Sequence, residues 1–377
     1  MKTSVSVLLL VALILVFLPA GAEEPFFPAD SCVYDGVFAQ QALQIAESTG
    51  LPGQGSILAA AGYQQVGVYN TVRPAGDGRH IAAYAVYDQA LADGRRAVIL
   101  TVRPTGEGEW PLNMDLMPSG NYDLEYAENF FLAAQDVLDT QADYLASLEN
   151  PVFLVTGYSR GAAVANILGA RLTDAYGPGR VYCYTFATPR TVRGEYPAYG
   201  NIFNVVNPCD LVTYLPFPQW GFERYGTDIV LPLDGADEET KGRVKAAYNA
   251  RADRMGEFLL FPEEEVAQGL VATIAAAFPT VAGAYTHRHA LTHPGLAGAD
   301  EPGMTGAEMM LALMGSFMGD ASDGGNVWGL NDGQGAENDF SPILEGMFDL
   351  MFAGEKETLG MMHMPATYGA WMTEISD

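Results

Sequence analysis

Positive charge is scarce in this chain. Its 377 residues carry 19 Lys and Arg against 46 Asp and Glu, a formal net charge of -27. Affinity for nucleic acid comes mainly from cations that neutralise phosphates, so DNA and RNA are excluded as partners. Cysteine is equally sparse. Cys32, Cys183 and Cys209 allow at most one internal disulfide, so the fold does not depend on a disulfide framework. Cys183 and Cys209 fall in neighbouring strand regions, where small buried thiols are the commoner fate. Internal repeats are lacking. Long hydrophobic runs are lacking too: the run from Val7 to Leu18 falls short of the about 20 residues that a membrane-crossing helix takes.

What the chain does have is apolar mass. Hydrophobic residues make up 49%, well above the level at which a charged chain stays unfolded, so the acids coat a real core. Single cores stop growing near about 250–300 residues, and the length fits one domain with an insertion. Residues 1–22 read as an export signal: Lys2, the apolar run to Leu18, a break at Pro19, then Ala20, Gly21 and Ala22 in the small-x-small pattern at which signal peptidase cuts. The expectation is a secreted protein whose domain spans 23–377.

Along that domain, apolar spacing predicts a helix from Asp35 to Glu47 with Gly50 as its stop. Strands are expected at Gln65–Tyr69, Ile81–Tyr87 and Ala97–Val102, joined as a meander. A helical pattern from Tyr122 to Leu148 leads into the wholly apolar run Pro151–Thr156, the mark of a buried parallel strand. Helix Ala162–Ala175 and strands Val181–Phe186 and Ile202–Val206 continue the alternation, which argues for a mainly parallel sheet flanked by helices. From about 234 to 345 the pattern turns helical and rich in Ala, Gly and Met, with helices expected at Glu239–Leu260, Glu263–Phe278, Gly306–Met318 and Pro342–Phe352. We read this as a long insertion, part of which could cap the site; equally, its methionines could simply pack helix on helix. The segment Asp320–Asp339 reads as a loop without calcium-loop spacing.

The chemistry centres on Gly157-Tyr158-Ser159-Arg160-Gly161, which sits between the apolar strand and a helix. A strand-turn-helix elbow projects a serine Oγ out of the sheet, and tiny residues are needed two positions either side. Gly157 and Gly161 meet that need. A serine hydroxyl requires a histidine to take its proton and an acid to hold that histidine, in the chain order Ser, acid, His. Asp210 lies just past the carboxyl end of the strand Ile202–Val206, where functional groups of open α/β sheets collect. His80 precedes the serine and fits the order poorly. His287, His289 and His293 form a cluster that reads as a solvated loop or helix end rather than a metal site, and His363 lies near the carboxyl terminus. Position prefers His363 as the base, with His287, His289 and His293 as the alternatives.

Four further stretches carry a resemblance. VRPT (102–105), VTGYSRGAA (155–163), TFATPR (185–190) and NVVNPCDLVTYLP (204–216) occur in the order found in fungal-type, or class 3, lipases of the α/β-hydrolase superfamily. His363 with Tyr368 is similar to the family's carboxyl-terminal His and Tyr. The sequence departs from the pattern at Pro104, where Gly is usual, and at Tyr158, where His is common. The resemblance implies an α/β-hydrolase fold and carboxylic ester hydrolysis, with Ser159 as nucleophile, His363 as base and Asp210 as acid. It also implies an oxyanion hole from the backbone N–H groups of Arg160 and Thr105, the Thr105 hydroxyl being a third donor. It points to an acylglycerol or other lipid substrate, no metal or other cofactor, transient contact with a lipid interface and no obligate protein partner. Other readings are an esterase for short or carbohydrate-linked esters, or a non-catalytic exported binding module on the same fold. A short lid is expected at Gly106–Tyr122.

Overall fold

The computed structural model describes residues 27–51, 53–69, 82–105, 125–232, 236–251, 268–269, 271–272 and 362–375. The first helix, α1 (Gly36–Ser48), starts where the Asp35 side chain accepts from the Phe38 N–H at 2.8 Å, an N-cap that satisfies one of the orphan donors of the first turn. Gly50, at φ +80°, follows its end, a backbone conformation that glycine adopts without steric cost. A second helix, α2 (Gln54–Ala60), leads into the meander β1 (Gln64–Tyr69), β2 (Tyr84–Ala90) and β3 (Arg96–Val102), whose neighbours pair antiparallel.

From β3 onward the sheet is parallel. Next come β4 (Glu125–Tyr126), α3 (Glu128–Ser147), β5 (Pro151–Tyr158), α4 (Arg160–Tyr176), β6 (Val181–Phe186), β7 (Val192–Arg193), β8 (Ile202–Val206), β9 (Thr227–Val230), α5 (Glu238–Arg251) and α6 (Pro365–Met372). The seven-stranded sheet has the order β1-β2-β3-β5-β6-β8-β9, and β4 pairs separately with β7. Every residue of β5 is buried, as expected of a central strand with both faces covered. One face packs against α1, α5 and α6, through Phe38, Leu43, Tyr248 and Trp371. The other packs against α3 and α4, through Phe131, Val137, Ile167 and Leu168. Each large apolar side chain buried this way contributes about 1.5–3 kcal/mol.

Several boundaries differ from expectation. The helix expected from Tyr122 begins at Glu128, because Glu125 and Tyr126 are drawn into pairing with Arg193 and Val192. The second strand starts at Tyr84 and runs on to Ala90. Both α2 and β9 were absent from the expectation. Strand β9 is a four-residue edge strand with mostly exposed side chains, so it carries little hydrophobic pattern. Cys183 and Cys209 are buried and Cys32 is exposed; no disulfide forms among them. The leader 1–22, the segment Gly106–Tyr122, the loop Asp320–Asp339, His80, His287, His289, His293 and nearly all of the insertion beyond α5 lie outside the described residues. No helix among the described residues is long and apolar enough to cross a membrane.

Candidate active site

Strands β5 and β8 bring their carboxyl ends to the same edge of the sheet, and the predicted nucleophile and acid follow them directly. Ser159 occupies φ +55°, ψ -126°, a backbone region that costs a residue with a Cβ about 1–3 kcal/mol. The strain persists because the surroundings over-determine it. The Ser159 N–H donates to the Phe186 carbonyl at the end of β6 at 2.9 Å, and its own carbonyl accepts the Ala163 N–H of α4 at 3.1 Å. A Cβ on Gly157 would strike the Gly161 carbonyl oxygen and come within 2.9 Å of the Ala162 nitrogen. A Cβ on Gly161 would strike the Val102 carbonyl oxygen and lie 2.5 Å from that of Arg103. The two glycines therefore let strand, elbow and helix meet backbone to backbone.

Three side chains remote in sequence converge here. His363 Nε2 lies 2.9 Å from Ser159 Oγ, and His363 Nδ1 lies 2.8 Å from Asp210 Oδ2. All three residues are buried, Asp210 completely. Asp210 also accepts from the Val212 N–H at Oδ1 (2.9 Å) and from the Tyr368 hydroxyl at Oδ2 (2.7 Å), so donors reach both oxygens. The arrangement favours one tautomer: Nδ1 donates to the acid, which leaves Nε2 as an acceptor facing the serine hydroxyl. Among the described residues, His363 is the histidine at this place.

Around the series lies a shell of hydroxyl and amide groups. Tyr158 donates to the His363 carbonyl at 2.7 Å. Tyr368 accepts the Asn207 N–H at 3.1 Å, and Asn207 Nδ2 donates to the Met362 carbonyl at 3.1 Å. Burial first, and then the charge of Asp210, push the hydroxyl pKa values of Tyr158 and Tyr368 well above the ordinary tyrosine value. Both therefore stay protonated donors. Sequence reasoning met Tyr158 only as a departure from the family pattern and did not single out Asn207.

Thr105 is half-buried, three residues beyond β3, and the carbonyls of Val102 and Arg103 that lead to it abut Gly161. The end of β3 and the elbow are thus in direct contact. Arg160 opens α4, and its buried guanidinium donates from Nη2 to Asn129 Oδ1 in the first turn of α3 at 2.9 Å. A helix N-terminus beside the serine supplies outward-pointing N–H groups and the positive end of the helix dipole. Both suit a developing oxyanion.

The model of the family described as Lipase (class 3) matches residues 112–220. No curated protein matches the chain. Among solved structures, the mono- and diacylglycerol lipase of Aspergillus oryzae is 19% identical, with a TM-score of 0.41, covering 50% of this chain and 77% of that one. A lipase of Rhizopus microsporus var. chinensis is 17% identical, with a TM-score of 0.42, covering 58% of this chain and 84% of that one. The Rhizomucor miehei triacylglyceride lipase is 16% identical, with a TM-score of 0.40, covering 51% and 77% respectively. The mainly parallel sheet flanked by helices, with a strained serine elbow between a buried strand and a helix, fits the α/β-hydrolase fold. The segment that supplies Ser159 and Asp210 matches the class 3 lipase family, set in an α/β-hydrolase fold.

Proposed function

We propose that the protein is an exported carboxylic ester hydrolase that cleaves acylglycerol-type lipids through a Ser159–His363–Asp210 acyl-enzyme mechanism. The observation that carries this reading is the hydrogen-bonded series from Ser159 Oγ through the His363 ring to Asp210 Oδ2, at 2.9 and 2.8 Å. In the first step Ser159 Oγ attacks the ester carbonyl carbon while its proton passes to His363 Nε2. The imidazolium so formed is stabilised by Asp210. The tetrahedral oxyanion is held by the backbone N–H groups of Arg160 and Thr105, with the Thr105 hydroxyl as third donor, and each such donor is worth about 100–1,000-fold in turnover. Collapse expels the alcohol, which takes the proton back from Nε2. Water then repeats the sequence on the acyl-enzyme, releasing the carboxylic acid and restoring Ser159.

The net charge of -27 bears on the substrate. A strongly negative surface repels anionic lipid membranes and favours neutral esters, while helping to expel a carboxylate product. The residues 1–22 are read as the leader, cut after Ala22. The test is hydrolysis of neutral glycerol esters of increasing acyl length, comparing wild type with Ser159→Ala. Turnover rising toward long chains and absent in the variant supports a lipase. Turnover confined to short chains redirects the reading to an esterase, and none at all to a binding module. Amino-terminal sequencing of exported protein should begin at Glu23; a retained leader would contradict the export reading.

A further inference from the structure

The imidazole of His363 reaches Ser159 and Asp210 from 204 and 153 residues away in sequence, so something close at hand must aim it. Two carbonyls in succession are taken by side chains at that point. The Met362 carbonyl accepts Asn207 Nδ2 at 3.1 Å, and the His363 carbonyl accepts the Tyr158 hydroxyl at 2.7 Å. These carbonyls belong to the peptide planes on either side of the His363 Cα. Fixing both planes fixes φ and ψ there, and with them the direction in which Cα–Cβ leaves the backbone.

The donors come from the two strand ends that supply the rest of the series. Tyr158 is the last residue of β5 and precedes Ser159; Asn207 follows β8 and stands three residues before Asp210. The Asn207 amide is oriented by its other half, because Oδ1 accepts the Cys209 N–H at 2.9 Å, which turns Nδ2 toward Met362. The Tyr158 ring adds lateral support, with centroids 5.6 Å from those of both His363 and Tyr368.

We propose that Tyr158 and Asn207 are positioning residues, a two-point clamp on the peptide planes flanking His363 that aims its ring at Ser159. The proposal rests on the reading of His363 as the base. Both donors bond main-chain carbonyls rather than Ser159 or the imidazole. Their effect is on the geometry of proton transfer, and a misplacement of about 1 Å in such a group costs on the order of 100-fold in rate.

The experiment compares Tyr158→Phe and Asn207→Ser with wild type and with Tyr184→Phe. Tyr184 is another buried tyrosine, one strand over; its hydroxyl accepts the Asp35 N–H at 3.1 Å and does not reach His363. Serine at 207 keeps an acceptor near the Cys209 N–H but is too short to reach Met362. The readouts are melting temperature, kcat and KM on a soluble ester, and the second-order rate of Ser159 labelling by a fluorophosphonate. The clamp predicts that kcat and labelling rate fall about 10- to 100-fold in Tyr158→Phe and Asn207→Ser, with KM within about two-fold. Tyr184→Phe loses thermal stability without losing rate. Folded Tyr158→Phe with turnover within about two-fold of wild type would overturn the clamp, as would an equal loss in Tyr184→Phe. If Tyr158→Phe does not fold, Asn207→Ser decides by the same criteria. Absence of labelling at Ser159 in the wild type is a different result, which overturns the site reading on which the clamp stands.

Discussion

Replacing Gly161 by alanine sets two physical effects against each other, and the structure decides the sign. Gly161 lies in the first turn of α4, where helix propensity alone would make alanine more stable by up to about 1 kcal/mol. The added methyl, however, would strike the Val102 carbonyl oxygen, lie 2.5 Å from the Arg103 carbonyl oxygen and 2.8 Å from its carbon. All of these are backbone atoms of a strand end, which cannot swing aside as a side chain tip can. Restoring an ordinary contact of 3.4 Å from 2.5 Å at the Arg103 oxygen alone takes about 0.9 Å of separation between α4 and the end of β3, and the Val102 oxygen takes more. Overpacking of this kind costs about 1–3 kcal/mol, outweighing the propensity gain. The displaced parts are the elbow and the strand end that leads to Thr105, so activity falls on the order of 100-fold. Gly242 provides the control: it is exposed in α5 with nothing within 4 Å of an added Cβ, and Gly242→Ala should gain about 0.5–1 kcal/mol at full activity. Thermal melts and ester turnover on both variants read the two effects. Gly161→Ala as stable as Gly242→Ala, with turnover within a few-fold of wild type, would refute the packing account of the elbow.

Three other perturbations follow from the same geometry. Thr105→Val removes a hydroxyl without changing side-chain shape, and should cut kcat about 100-fold while leaving the melting temperature in place; full turnover removes the hydroxyl from the site. Tyr368→Phe takes a 2.7 Å donor from Asp210 and orphans the Asn207 N–H. Calorimetry should register a loss of about 1–3 kcal/mol together with reduced kcat, and an unchanged pair of values would count against its role. Alkaline pH should unfold the protein early. Tyr158 and Tyr368 have pKa values raised in the folded state above the unfolded value of 10.0, so their contribution is whole below pH 10 and declines as pH climbs from there toward the folded values. Each costs about 1.4 kcal/mol per pH unit in that window. Denaturant melts that stay flat from pH 9 to 11 would contradict this.

Much of the scaffold could be read from residue pattern, for physical reasons that also mark where reading stops. The apolar run Pro151–Thr156 is of the kind found in a strand covered on both faces, and β5 is such a strand. The elbow glycines stand out because nothing larger fits beside Gly161 and Val102. Strand β9 leaves no mark in the residue pattern, because an exposed four-residue edge strand has neither apolar run nor alternation. Order sets aside His80 alone, since His287, His289, His293 and His363 all follow Asp210, and a contact across 204 residues is a product of the whole fold. Tyr158 illustrates the limit best. In sequence it is a substitution for the commoner histidine, and only the approach of the carboxyl-terminal segment gives its hydroxyl a partner.

The central claim is that Ser159 is a nucleophile activated by His363. Its most direct test is treatment of the folded protein with a fluorophosphonate, followed by peptide mass spectrometry. The account predicts a single covalent adduct on Ser159, abolished in Ser159→Ala and slowed by at least about 1,000-fold in His363→Ala. An adduct on another serine, or one formed equally fast without His363, would contradict it.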